Sequence, residues 1–158
     1  MTGMWKELLD LYAGHLDSVL MPFWMKHSLD PEHGGYYSCL DREGAVYDSR
    51  KYIWMNGRQV WTLSTLYNTV ERRPEWLEAA RLGAEFLRKY AFDDQGRCYF
   101  SLTREGLPAG YQRKPYSGVF VMLGFAAYAK ASGDEWYRQK AEELYAQVQL
   151  WIADSALL

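Results

Sequence analysis

The chain has 158 residues, 49% hydrophobic and 16% aromatic, with a formal net charge of −2. This is enough apolar material for one sizeable core and too much for a disordered chain, so a single domain over residues 1–158 is expected. Acids and bases are interspersed, which excludes the basic footprint selected by nucleic acid or an anionic membrane; a small neutral partner fits better.

The first sixteen residues, MTGMWKELLDLYAGHL, carry charges and a glycine where a secretory signal needs an unbroken apolar run. No apolar stretch reaches the roughly 18 residues of a membrane span, so a soluble, cytoplasmic protein is expected. Cys39 and Cys98 are too few for a disulfide framework and lack metal-ligand spacing, which suits free thiols in a reducing compartment.

From about Met4 to His27, Trp5, Leu8, Tyr12, Leu16, Val19 and Phe23 recur at steps of three and four, the stripe of a helix lying on a core. Pro22 predicts a kink or break in it. Next comes SLDPEHGG, whose Asp-Pro and Gly-Gly pairs signal a loop. Tyr37–Gly44, YSCLDREG, then alternates ring or apolar residues into a turn closed by glycine, with AVYD as return strand, which predicts a β-hairpin.

Tyr52–Val70 has Arg58 as its one charge and reads as a helix buried on every side. Glu75–Tyr90 holds six charges in sixteen residues and so has a wet face. Pro74 suits its first turn. A second hairpin follows in YFSLTREG, Tyr99–Gly106, with LPAGY returning. Pro115–Ala129 carries no charge and again reads as buried all round, whereas Asp134–Gln147 holds six charges in fourteen residues behind Asp134 as N-cap.

The second hairpin lies 62 positions after the first, with Leu40/Leu102, Arg42/Arg104, Glu43/Glu105 and Gly44/Gly106 identical. Glu75-Trp76 recurs 60 positions later as Glu135-Trp136. The unit is therefore helix, hairpin, helix, and its helices alternate outer, inner, outer, inner, outer. Concentric helices of that kind form an all-α fold, an α/α toroid with short β-hairpins between helices. Six such units would need about 360 residues, of which this chain supplies about two and a half units.

Arg58 is the sharpest chemical signal. A guanidinium keeps its proton, and stranding it in an apolar helix costs several kcal/mol, so it must meet a carboxylate, carbonyls, water or a polar ligand. No acid lies on its own segment. Asn56 precedes it by two residues, and Trp54 and Trp61 fall on the same helical face. Donors flanked by indole rings are how a sugar is gripped; a pairing with an acid from another helix, merely pinning the packing, is equally open.

Tyr116 stands 62 positions beyond Trp54 and should point into the same mouth of a barrel. A single tyrosine among thirteen is otherwise a packing residue. His15, His27 and His33 lie outside both inner helices and suit surface or hairpin-supporting roles. No phosphate loop, nucleophile elbow, paired CxxC or HExxH is present.

The run Phe23–Trp61 resembles the amino-terminal region of the N-acylglucosamine 2-epimerase family, known in animals as renin-binding protein. FWM-x-HS, EHGG, L-x-REG-x-VYD and GRQVW occur in that order, and the likeness continues through PYSGVF. The resemblance implies a barrel of twelve helices in six pairs, of which this chain would be about the first two fifths. It implies interconversion of N-acetylglucosamine and N-acetylmannosamine, through ring opening and proton transfer at C2, in a homodimer.

The same resemblance implies ATP as an activator that is not consumed, no required cofactor or metal, and renin as a partner. Related members act on cellobiose, mannose or sulfoquinovose. Arg58 would match the inner-helix arginine that holds the sugar oxygen near the reacting carbons, and Tyr116 the aromatic hydroxyl that contacts the sugar. Trp54 and Asn56 would be neighbouring substrate-binding residues. The acid/base histidines belong to later inner helices, which His15, His27 and His33 do not match, so no catalytic residue is assigned and the chain alone is expected to be inactive.

Two rivals stand beside this reading. One is a non-enzymatic interaction module pairing with a full-length subunit or another protein through an open edge. The other is a glycosidase on the same architecture, weakened because neither inner helix offers an Asp or Glu.

Overall fold

A computed structural model describes residues 3–112 and 114–158. Helix α1, Gly3–His15, runs through a π-helical turn, Leu16–Leu20, into α2, Met21–His27. The wider turn has a cause. Pro22 has no N–H to donate and its ring would meet the carbonyl four residues back, so the helix loosens just before it and the Met21 N–H bonds the Leu16 carbonyl. The expected break is thus absorbed without losing the helical path.

Strands β1, Cys39–Leu40, and β2, Val46–Asp48, form the first hairpin. The Asp41 carboxylate accepts the N–H groups of Glu43 and Ala45 at 3.0 and 2.7 Å, and Gly44 closes the turn with φ +90°. Strands β4, Ser101–Leu102, and β5, Pro108–Gly110, form the second, closed by Gly106 at φ +96°. Both glycines are also required sterically: a Cβ would run into the His27 ring at Gly44 and into the Tyr90 ring at Gly106. Strand β3, Lys51–Tyr52, pairs antiparallel with β4, so the two repeats share one three-stranded sheet.

Four long helices make the body: α3 Ile53–Thr69, α4 Pro74–Tyr90, α5 Tyr116–Ser132 and α6 Glu135–Ala153. The α6 start is capped as its sequence predicts, with the Asp134 carboxylate accepting the Trp136 N–H at 2.9 Å. Inner helices α3 and α5 lie side by side in close backbone contact. A Cβ on Gly57 would sit 2.5 Å from the Phe120 carbonyl carbon, and one on Gly124 would sit 2.7 Å from the Gly57 oxygen.

Outer helix α4 covers α3 with Trp76, Ala80, Phe86 and Leu87; α6 covers α5 with Tyr137, Leu144, Val148 and Trp151. Each large apolar side chain fully removed from water stabilises the fold by about 1.5–3 kcal/mol. Five helical segments in outer–inner alternation, with hairpins between, make an arc of an α/α barrel. No helix among the described residues is long and apolar enough to cross a membrane.

Two expectations need correction. The inner helices are not buried on every side: Trp61 is 43% and Tyr116 62% exposed, and Leu123 and Ala126 also face out. Each inner helix is covered by one inner neighbour and one outer layer, which leaves the remaining flank open. Nor does the first helix lie on the core along its length. No residue of α1 is buried, Trp5 and Tyr12 are exposed, and packing begins only at Leu16, Met21 and Met25.

Candidate functional site

The strand–helix junction Tyr52–Ile53 is pinned by the Ile53 N–H to the Phe100 carbonyl at 3.0 Å, which aims the first turn of α3 at the second hairpin. Trp54 therefore faces the start of α5 across a groove of about 360 Å³. Phe100, Tyr116 and Phe120 complete its aromatic lining, and Gln112, Lys114 and Ser117 supply the polar groups. Trp54 and Phe120 lie 6.0 Å apart at 47°. Trp54 and Tyr116, placed together by the 62-residue offset, do share this mouth.

Arg58 sits one turn further along α3. It is exposed rather than stranded in an apolar interior, because it projects from the open flank of α3. No acid among the described residues pairs with it. Its guanidinium carbon lies 5.9 Å from the Trp54 ring centre and 5.4 Å from that of Phe120, so it rests on two of the groove's rings. The flanking ring is Phe120 and not Trp61 as helical spacing alone predicts. On its other side Arg58 borders a second groove of about 300 Å³ with Trp24, Met55, Gln59 and Thr62. It forms the ridge between the two.

Asn56 serves a different purpose from the one its neighbourhood suggests. It is fully buried; its carbonyl oxygen accepts the Tyr36 N–H at 2.8 Å and its amide donates to the carbonyls of Tyr52 at 3.1 Å and Tyr36 at 3.4 Å. All of its hydrogen-bonding reach is spent on holding the loop before β1 against α3, out of contact with either groove.

The histidines also stand away from the grooves. The His27 ring lies tilted at 40° against Phe23, ring centres 5.0 Å apart, beneath Gly44; His33 lies 3.6 Å from Glu32; His15 ends α1. Cys98 is buried, which pushes its thiol up to about 12 and makes it inert at neutral pH, and both cysteines are free. Among the described residues no three His, Cys, Asp or Glu side chains converge on a metal position.

Beneath the hairpins lies a buried ionic cluster that sequence spacing did not reveal. Asp30 and Lys51 are both 0% exposed, with Lys51 Nζ 2.9 Å from Asp30 Oδ2. Lys51 also donates to the Gly34 carbonyl, and Arg104 grips the same carboxylate with Nε at 2.9 Å and Nη2 at 3.1 Å. Burial opposes ionisation of Asp30, but the bonds from Arg104 and Lys51 outweigh it and hold the carboxyl well below the usual carboxylate range. Burial lowers the Lys51 ammonium against the opposing pull of Asp30. This cluster faces neither groove, and its work is to lock the second hairpin onto the loop that precedes the first.

Of the groove residues, Phe100, Gln112, Lys114, Ser117 and Phe120 had not been singled out. Phe120 was within reach, since it stands at the 62-residue offset from Arg58. Phe100 and Gln112 flank the second hairpin, which the β3–β4 pairing brings beside α3, whereas Lys114 and Ser117 adjoin Tyr116 at the start of α5.

Residues 35–156 match the family described as N-acylglucosamine 2-epimerase (GlcNAc 2-epimerase). The chain is 42% identical over 156 residues to the N-acylglucosamine 2-epimerase of Homo sapiens, covering 96% of this chain and 36% of that protein. It is 29% identical over 121 residues to a cellobiose 2-epimerase of Bacteroides fragilis, covering 75% of this chain and 31% of that protein. Among solved structures, cellobiose 2-epimerase from Spirochaeta thermophila superposes with a TM-score of 0.83 at 26% identity, over 94% of this chain and 37% of that one. The chain thus spans little more than a third of the length of these relatives. With the repeat, the α/α arc and residues 35–156 all in agreement, the chain belongs to the N-acylglucosamine 2-epimerase family.

Proposed function

We propose that this chain forms the sugar-binding mouth of a 2-epimerase that interconverts N-acetylglucosamine and N-acetylmannosamine by proton transfer at C2. The observation that carries this reading is Arg58: a guanidinium with no paired acid among the described residues, laid across the rings of Trp54 and Phe120, at the groove that Trp54 shares with Tyr116. Rings of this kind seat the C–H faces of a sugar, and a cation with a fork of donors holds its oxygens. The same positive charge would favour the enediolate that develops when C2 loses its proton.

The chain alone does not turn over in this reading. Its three histidines lie away from the groove, and a base and an acid within hydrogen-bond reach of C2 are needed. The ordinary family activity, its dimeric state, ATP activation, any association with renin and a cytoplasmic location belong to the proposal at the level of the longer relatives. Cellobiose or mannose as substrate is the alternative on the same scaffold, favoured by the likeness to cellobiose 2-epimerases.

The test is direct. Purified chain is titrated with N-acetylglucosamine while tryptophan fluorescence is followed, and separately assayed for N-acetylmannosamine turnover. Saturable quenching that weakens about tenfold or more in Arg58→Ala, without turnover, is expected. Absence of binding, or ordinary turnover by the chain alone, contradicts the reading.

A second reading has an observation of its own. Leu123, Tyr145 and Leu150 leave an exposed apolar flank along α5 and α6, which suits an interaction module that pairs with another subunit.

A further inference from the structure

An arginine that grips a ligand must be held somewhere before the ligand arrives. Arg58 is exposed and pairs with no acid among the described residues, and its long stem has many rotamers to lose when it closes on a sugar. It also stands on the ridge between two grooves, with Trp24, Met55, Gln59 and Thr62 on its far side. What keeps the guanidinium at the aromatic groove therefore bears on how tightly that groove binds.

The rings that hold it lie on one side only. Among the described residues, the aromatic rings within cation–π range of Arg58 are Trp54 at 5.9 Å and Phe120 at 5.4 Å, and both line the first groove. Trp54 is one turn back on the same helix and so gives Arg58 no anchor outside α3. Phe120 comes from α5, at the same register of the next repeat, 62 positions on. Its place is set by backbone contact: a Cβ on Gly57, the residue next to Arg58, would lie 2.5 Å from the Phe120 carbonyl carbon. The two inner helices thus touch just where the cation leaves α3, and the Phe120 ring is a fixed rest for a long, flexible side chain.

We infer that Phe120 is a positioning residue: its ring, fixed by the contact of α5 with Gly57, holds the Arg58 guanidinium at the aromatic groove and away from the second one. The sugar then meets an arginine already in place, and less ordering is left to be done on binding. This rests on the proposed sugar-binding function and adds to it a residue that acts through Arg58, with no contact of its own to the sugar required.

The experiment is a double-mutant cycle, read by calorimetric titration of the 158-residue chain with N-acetylglucosamine. Phe120→Leu is expected to weaken binding by about two- to tenfold when Arg58 is present, and to cause no further loss in Arg58→Ala. A second comparison places pentafluorophenylalanine at position 120, which keeps the shape of the ring but removes the negative face that attracts a cation. It is expected to weaken binding beside Arg58 and to leave the affinity of Arg58→Ala unchanged, a dependence that a merely structural ring does not produce. Wild-type affinity in Phe120→Leu, or an equal loss with and without Arg58, overturns the inference and leaves sugar binding standing. Should Phe120→Leu fail to fold, the fluorinated chain decides alone, and an affinity unchanged by fluorination overturns the inference. Failure of the intact chain to bind N-acetylglucosamine overturns the underlying functional reading itself.

Discussion

Arg104 closes a fork on the carboxylate of Asp30, Nε to Oδ2 at 2.9 Å and Nη2 to Oδ1 at 3.1 Å, across 74 residues of chain. The partner Lys51 completes a cluster whose acid is wholly out of water. The second hairpin and the loop that precedes the first are thus held by one carboxylate, and its removal leaves a buried ammonium with no counter-charge.

Asp30→Asn should therefore destabilise the chain by about 3–5 kcal/mol, the usual cost of breaking a buried pair from one side. Asp30→Asn combined with Lys51→Met should cost less than Asp30→Asn alone, because no unpaired charge remains. Urea unfolding of the two variants measures this, and a double variant less stable than the single one counts against the cluster as described.

The same cluster sets a pH dependence. The folded Asp30 carboxyl lies well below its ordinary value, so the unfolded chain takes up the proton first as pH falls. Its contribution is complete at neutral pH, starts to fall below about pH 4, where an unfolded aspartate titrates, and is lost as pH falls on through the folded value. Lys51 is lowered, chiefly by burial, so the unfolded chain keeps that proton longer as pH rises. Stability from Lys51 accordingly increases between its folded value and about pH 10.4, the unfolded lysine value. Urea midpoints across pH should show an acid limb below about pH 4 that flattens in Asp30→Asn; an unchanged limb rules Asp30 out as its source.

Gly57→Ala tests the contact of the inner helices. Alanine favours an exposed helix over glycine by about 1 kcal/mol, but here its Cβ would lie 2.5 Å from the Phe120 carbonyl carbon and 2.8 Å from the Val121 nitrogen. Backbone cannot step aside as a flexible side chain does, so overpacking wins by about 1–3 kcal/mol. Thermal melting should show a clear loss, and a stabilised Gly57→Ala would mean that α3 and α5 do not approach as closely as described.

Much of this was legible in the chain. The 62-residue echo located both hairpins, Asp134 announced a cap, and the contrast of charged and apolar segments sorted outer from inner helices. The Asp30 cluster was hidden because its members lie 21 and 74 residues apart and carry ordinary surface residue types. A longer repeat alignment held the clue: Asp30 and Asp93 both open turns by accepting nearby backbone N–H groups, and Arg104 repeats Arg42. Asn56 was misjudged for a related reason. It stands two residues before Arg58, which turns it to a different face of α3, and closeness in sequence does not reveal that a loop 20 residues earlier packs over that face.

That distinction supplies the last prediction, which sets Arg58 against Asn56. Both were expected beside a sugar, yet Asn56 satisfies three backbone groups in a fully buried position and Arg58 satisfies none among the described residues. Asn56→Ala leaves the Tyr36 N–H and two carbonyls without their partner, and a buried unsatisfied group costs about 1–3 kcal/mol. Its thermal midpoint should drop, with any change in sugar affinity following only from partial unfolding. Arg58→Ala should keep the wild-type midpoint, since the guanidinium is exposed and pairs with no acid among the described residues, and should lose affinity for N-acetylglucosamine. Measuring melting and binding for both variants separates a residue that holds the groove's walls from one that meets its ligand. A drop in midpoint for Arg58→Ala equal to that of Asn56→Ala would make both of them scaffold and remove Arg58 from the binding site.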